Sequence, residues 1–458
     1  MPTTTIEDLP YEILSQILKY AADENVSDSN SIVYTYGISS ASRPLHQKSA
    51  LQKYIRGRVP TDVLRWNAVS AFRHVNSRWH NWALSFAVKE LYIRRWRGGE
   101  TWLRRAFNAA TEADHLPVVF QDPYKAVKAT AKLLRDFPQI ASHVRRVWFN
   151  GIYRFDTICH VFSILENCVN VRQLSIPWTT LRYGNAEQWK RVLSFERLTS
   201  LELLSVGLRD EIVRDPHSYL DTGVLAAPEL DFSNLKRLKV FGDANLLPMN
   251  DEDLIRIART ATNLKEILIA NVDNVTVRGV AALVEASSKT LRLLDFAPTK
   301  ASTEKANGVN GVHLCALLAG CPNLEDLAVT LPTICKEMFA NEEVQWHETI
   351  RLKVGSIESG QNFGEILDAA RRLIEKRGGD LAIEIAVGAY LFDVKAKMVH
   401  GNFKALSKIE GAPVLTPSVK GPYGYTGIHG DSEKGEWLCL YEGDFFEVAK
   451  AGVVRFGN

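Results

Sequence analysis

Cysteine is scarce in this sequence. The chain has six in 458 residues, at positions 159, 168, 315, 321, 335 and 439, and no CxxC pair among them. That spacing excludes the dense disulfide framework of small secreted domains and shows no zinc-finger ligand set, so reduced, buried thiols and no metal ligands are expected. Long apolar runs are missing too. No stretch reaches the roughly 18 apolar residues that a membrane-spanning helix needs. Met1 to Leu9 carries acids and a proline where a secretory signal would carry an apolar segment. The expected setting is cytoplasmic, nuclear or both, with no membrane partner. An excess of one charge is also lacking: 55 Lys+Arg stand against 53 Asp+Glu, a formal net charge of +2, which provides no overall field for nucleic acid.

Catalytic signatures are equally sparse. The stretch Gly421-Pro422-Tyr423-Gly424-Tyr425 lacks the Gly-Lys-Ser/Thr ending of a phosphate loop, and there is no G-x-S-x-G elbow. His347-Glu348 is not followed by a second His at zincin spacing. Cys159-His160 are neighbours in sequence and read as a buried Cys beside a surface His rather than a catalytic pair. No catalytic residue and no cofactor is expected.

What is present is 46% hydrophobic and 24% charged residues, enough to bury a large core. The length suits two to four domains, or one repeat array with an appendage. Charge is uneven locally: from Arg43 to Arg105 there are 14 Lys/Arg and 3 Asp/Glu, a segment that favours acidic partners or forms a solvated face. Near the N-terminus Leu9, Ile13, Leu14, Ile17 and Leu18 fall on one helical face, with Pro10 suited to a first helical position and Glu12 to the first turn. Residues 23 to 31 are polar and read as a loop. Helical spacing resumes at Val69, Phe72, Val75, Trp79 and Ala83.

Beyond residue 88 an internal repeat dominates. The template apolar-x-x-apolar-x-apolar starts at Val144, Val171, Leu198, Leu235, Leu264, Leu291 and Leu324, with a weaker copy at Thr349. Successive starts are 27, 27, 37, 29, 27, 33 and 25 residues apart. Val88-x-x-Leu91-x-Ile93 fits as well and lies 56 residues before Val144, twice 28, so a degenerate repeat is expected between them around Leu116 to Phe120. Residues 381 to 387 read as one last strand. Between these strands the period turns helical, as in Leu254, Ile257, Ala258 and Ala261, or Val312, Cys315, Leu318 and Ala319. Residues 401 to 458 hold 10 of the 29 glycines and 8 aromatics, and strand material such as Trp437 to Tyr441; a cap over the end of the array is expected.

The segments Leu9-Pro10-x-Glu12-Ile13-Leu14-x-x-Ile17-Leu18 and Val75-Asn76-Ser77-Arg78-Trp79 resemble the F-box, and the strand–turn–helix unit of about 27 residues resembles the leucine-rich repeat. The chain is therefore similar to F-box/leucine-rich-repeat proteins. It departs from them at Asn76, where the family usually has Cys, and in a separation of about 45 residues between the two F-box pieces. The resemblance implies an α/β fold in three parts. Residues 1–87 form a small helical F-box-like module with an insertion at about 22–66. Residues 88–390 form a solenoid of about 8–10 irregular repeats, parallel strands on the concave face and helices on the convex face. Residues 391–458 form a C-terminal cap.

The family's role implies a non-catalytic substrate receptor of an SCF-type cullin–RING ubiquitin ligase. Its partners would be a Skp-family adaptor, through it the ligase, and an unknown protein substrate. Adaptor contacts would fall to Leu9, Pro10, Ile13, Leu14, Ile17, Leu18, Val69, Phe72, Val75 and Trp79. Strand residues alternate faces, so substrate contacts would fall to Arg146, Trp148, Gln173, Arg237, Lys239, Glu266, Asp295 and Asp326. Two alternatives stay open: a repeat scaffold whose N-terminal helices only cap the array, and an enzyme with a site in the Gly/aromatic C-terminal region.

Overall fold

The apolar template positions become strands, and the strands line up in chain order. In the computed structural model of the protein, residues 5–26, 32–35, 51–54, 69–94, 124–150, 158–205, 223–242, 248–270, 272–299, 313–357, 363–377, 381–388 and 437–440 are described. Among them one sheet has eleven strands: β1 (Glu90–Arg94), β2 (Arg146–Asn150), β3 (Gln173–Pro177), β4 (Ser200–Ser205), β5 (Arg237–Gly242), β6 (Glu266–Ala270), β7 (Leu293–Ala297), β8 (Asp326–Ile334), β9 (Glu348–Ile357), β10 (Leu381–Gly388) and β11 (Trp437–Leu440). β1 to β10 pair in parallel, each with its chain neighbours, and β11 adds antiparallel to β10. Purely sequential order is the solenoid solution, since each unit can bury its apolar face only against the units before and after it.

Helices return the chain between strands: α3 (Lys125–Asp136), α4 (Ile158–Leu165), α5 (Thr179–Tyr183), α6 (Ala186–Leu193), α7 (Asp251–Ala258), α8 (Val277–Ala286), α9 (Leu314–Ala319) and α10 (Phe363–Lys376) follow the N-terminal α1 (Tyr11–Val26) and α2 (Ser77–Val88). The inward strand residues Val147, Leu174, Leu201, Leu238, Ile267, Leu294 and Leu327 share one continuous core with helix residues such as Val161, Leu254, Val280 and Leu318. Burial of each such Leu or Ile contributes about 1.5–3 kcal/mol.

Polar side chains stitch the repeats. The Asn that precedes the apolar template donates its amide to the previous repeat's backbone: Asn170 to Ser142 O at 3.0 Å, Asn263 to Ser233 O at 3.0 Å, Asn323 to Lys289 O at 2.6 Å. Asp251, in the first turn of α7, accepts from Thr276 N at 2.7 Å, Thr276 Oγ1 at 2.7 Å and Gly279 N at 3.1 Å, which ties α7 to the start of α8. A Cβ at Gly279 would stand 2.7 Å from Asp251 Oδ1 and 3.0 Å from its Cα. Gly279→Ala is therefore expected to lower the urea midpoint by the equivalent of about 1–3 kcal/mol despite the better helix propensity of Ala. Its neighbour Arg278 pairs with Glu252 in an exposed ion pair, so Arg278→Ala should change the midpoint by less than about 0.5 kcal/mol.

Several expectations are corrected. β1 pairs directly with β2, Leu91 opposite Val147, so no strand of a degenerate repeat lies between them; Leu116 to Phe120 fall outside the described residues. The Thr349 repeat is shifted by two residues: Leu352 aligns with Val329 rather than with Leu327. A two-residue slip keeps every side chain on its face, so apolar periodicity cannot detect it. α1 continues to Val26, past the start of the segment read as a loop, and Ile32–Thr35 pairs in parallel with Leu51–Tyr54 inside the presumed insertion. Of the region expected to cap the array, only β11 lies among the described residues.

Candidate functional site

The second F-box-like piece is not one helix. A 3-10 turn, Phe72–His74, ends at Val75, and Asn76 then caps α2 by accepting from Trp79 N at 2.9 Å. The break comes from Asn76 itself, whose extended backbone and side-chain acceptor restart the helix. The two motif pieces lock together through polar contacts that apolar spacing does not reveal. Asn76 Nδ2 donates to Glu7 Oε1 at 2.9 Å, Arg78 donates to Glu7 O and Leu9 O, each at 3.0 Å, and the Arg78 guanidinium lies 5.6 Å over the Tyr11 ring. Trp82 Nε1 donates to Ser15 Oγ at 2.9 Å.

Inside this module Leu14, Leu18, Ala22, Val69, Trp82, Ala83 and Phe86 form a small core of their own, with Phe72 and Trp79 half-buried against it. Leu14, Leu18 and Val69 are thus interior and are removed from the set of adaptor contacts: they hold the two pieces together. Leu9 is half-buried and Pro10 exposed. Val75, named as an adaptor contact, lies in the linker before α2 and is exposed. α1 carries a second apolar stripe beside the buried one. Ile13, Ile17 and Tyr20 lie at i, i+4 and i+7 and are 45%, 39% and 72% exposed. Of the nine large apolar side chains exposed among the described residues, Ile6, Tyr11, Ile13, Ile17, Tyr20 and Val75 belong to this module. Such a concentration makes this module the candidate contact region.

No protein-family model matches the chain, and no curated protein matches it. Among the described residues no helix is long and apolar enough to cross a membrane.

The sheet face turned away from the helices carries the predicted substrate residues, in two columns across the strands. Arg146, Gln173, Ser200, Arg237 and Glu266 align in one; Trp148, Ser175, Glu202, Lys239, Leu268 and Asp295 align in the other. The face is less open than its alternation implies. Trp148 is 1% exposed and Lys239 6%, and Arg237, Ser175 and Glu202 are buried; Arg146, Gln173, Glu266, Asp295 and Asp326 keep partial access. Adjacent strands are about 4.8 Å apart, so long side chains shield one another, and opposite charges pair sideways along the sheet. Arg146–Glu90 at 3.0 Å, Arg237–Glu266 at 3.2 Å and Lys239–Glu202 at 3.7 Å are such pairs. Glu202, the hub of the third, was missed by the sequence reading, although its place one residue before an inward Leu would have located it.

Burial strains these ionisations. It pushes the Glu202 carboxyl up to about 7 against the pull of Lys239 and Arg237. It holds the Lys239 ammonium down to about 8 although Glu202 opposes it. Asp295 rises to about 7 through burial and then repulsion from Asp326. Its Oδ1 is enclosed without a hydrogen-bond partner. Glu202 and Asp295, held above their ordinary 4.5 and 3.8, keep protons in the folded chain that the unfolded chain has released. Stability therefore falls as pH rises from those ordinary values towards about 7. Lys239 acts in the opposite sense, adding stability as pH rises from about 8 to its ordinary 10.5, because there only the unfolded chain stays protonated. Glu202→Gln or Asp295→Asn should flatten the decline in urea midpoint from about pH 5 to 7. A variant profile parallel to the parent's would assign the decline to other groups.

The Cys159-His160 pair is the reverse of its sequence reading. Cys159 is exposed, His160 is half-buried, and Sγ and Nδ1 stand 3.9 Å apart. Cys168 and Cys321 behave as expected of structural thiols, buried and pushed up to about 12 and about 11.

Proposed function

We propose that the chain is a leucine-rich-repeat protein with an F-box-like N-terminal module, and that it serves as a non-catalytic substrate receptor of an SCF-type cullin–RING ubiquitin ligase. The observation that carries this reading is the exposed stripe Ile13, Ile17 and Tyr20 on a helix that already buries Leu14, Leu18 and Ala22. A helix that only capped the array would need one apolar face, and α1 has two. Pro10, Ile13, Ile17 and Val75, with the accessible edges of Leu9, Phe72 and Trp79, would meet a Skp-family adaptor. A protein substrate would be met on the helix-free sheet face at its accessible charges, Arg146, Glu266 and Asp326. Rate enhancement would come from proximity of substrate to ligase, not from chemistry on this chain.

One observation favours a second reading, a repeat scaffold without ligase docking. α2 ends at Val88 and β1 begins at Glu90, and α2 packs on the turn Pro138–Ala141 of the first repeat. The module thus stands next to the edge strand of the array, the position a cap would take. Co-purification of the full chain with a purified Skp-family adaptor separates the two. Retention of a stoichiometric complex is the outcome expected of a ligase receptor; a folded chain that elutes alone at micromolar concentration leaves the scaffold.

A further inference from the structure

At the start of α9 the protein gathers two thiols and an imidazole from two segments 20 residues apart. His313, Cys315 and Cys335 each present a ligand atom, and these atoms lie within 4.8 Å of one another. Cys335 Sγ is 3.6 Å from His313 Nδ1 and donates to Glu337 Oε2 at 3.9 Å. Tetrahedral zinc, with bonds of about 2.3 Å to sulfur and about 2.0 Å to nitrogen, sets an S···N edge of about 3.5 Å. The observed separation is close to that edge before any metal draws the ligands in.

Local structure turns the His313 ring towards the thiols instead of into a helix cap. α6, α7 and α8 begin at Asn185, Asn250 and Thr276, whose side chains accept backbone N–H groups of the first turn. His313 occupies the equivalent position of α9 and makes no such cap; its ring turns towards Cys335, which opens the 3-10 turn Lys336–Phe339. Its Nε2 is enclosed without a hydrogen-bond partner. Cys315 and Cys335 are buried, His313 half-buried and Glu337 exposed, so the cluster has a dry floor and a rim open to solvent through which an ion can enter.

We propose that His313, Cys315 and Cys335 bind one zinc ion, with the exposed Glu337 carboxylate, beside Cys335 but outside the 4.8 Å group, rotating in as fourth ligand. Two thiolates and an imidazole are a soft, borderline set that suits zinc over magnesium or calcium, and closure by Glu337 makes the site structural. The ion would fasten the start of α9 to the end of β8. Two protons leave the thiols on binding, so affinity rises with pH. The pattern His-x-Cys followed 20 residues later by Cys-x-Glu has no CxxC, which is why spacing alone pointed to no metal.

The test uses the full chain, reduced and stripped with a chelator, then titrated with cobalt(II) followed by zinc(II). One equivalent of cobalt should produce a thiolate-to-metal charge-transfer band and the visible bands of a tetrahedral ion, and zinc should abolish both. Cys335→Ser and Cys315→Ser should lose the charge-transfer intensity in proportion to the thiolate removed, while Cys159→Ser, at an exposed cysteine elsewhere, should keep it all. His313→Gln, at the rim and least disruptive to folding, should weaken zinc at least about tenfold, the loss that follows even from removing an outer partner of a metal ligand. No tetrahedral cobalt spectrum from folded parent, or a spectrum untouched by Cys335→Ser and His313→Gln, would overturn the proposal.

Discussion

Ile13→Asp and Ile17→Asp should each reduce retention of a Skp-family adaptor by at least about tenfold, and together by about a hundredfold or more, with no loss of fold. Each exposed branched side chain is worth about 1.5–3 kcal/mol when fully buried at an interface, and a charge in its place adds a desolvation cost. Neither residue belongs to the module's own core, so thermal and urea unfolding should match the parent. Leu14→Ala makes the contrast. It lies one residue from Ile13 and is 1% exposed, so its truncation should cost about 2–5 kcal/mol of stability and affect docking only through unfolding. Titration of an adaptor into each variant, read beside its melting curve, distinguishes the two faces of α1. Normal affinity in the folded double variant would remove this stripe from any docking role.

The second large effect belongs to the array. Arg182 of α5 reaches Asp253 of α7 with two bonds, 2.8 Å to Oδ1 and 2.5 Å to Oδ2, and donates to Pro248 O at 2.9 Å. Both side chains are almost fully buried. Asp253 also accepts from Asn250 N at 2.9 Å while Asn250 caps Asp253 N, so the ion pair and the helix cap are one unit. Removing one partner leaves the other charge enclosed. Arg182→Ala or Asp253→Ala should therefore destabilise the chain by about 3–5 kcal/mol, enough to unfold a domain of ordinary stability. Arg182→Leu combined with Asp253→Leu should recover part of that loss, since no unpaired charge remains. A double variant worse than both single variants would mean that the pair stabilises beyond the cost of its own desolvation.

The strands from Val144 to Leu327 were legible because their function in the fold is simple. An apolar residue at every fourth and sixth position has no other reason to recur near 27 residues, and each one did become an inward contact. α1 and a helix through Trp79 and Ala83 were legible in outline from apolar spacing, but the start of α2 at Ser77 was not. Arg182 was not: it is an ordinary basic residue in a short helix, and its acid lies 71 positions away. Glu337, a single exposed acid after a buried cysteine, was equally mute.

Sequence alone determined that the chain is an α/β repeat array with a helical front, because burial of apolar surface is periodic and periodicity is written in order along the chain. Only the tertiary structure decided which of the two stripes of α1 turns inward, how β9 registers on β8, that the charged sheet face is half-closed, and that His313, Cys315 and Cys335 converge. Each of these depends on which residues meet across 20 or more positions. Local pattern carries no record of that, since strand pairing and helix packing assign partners through the whole fold rather than through neighbours in the chain.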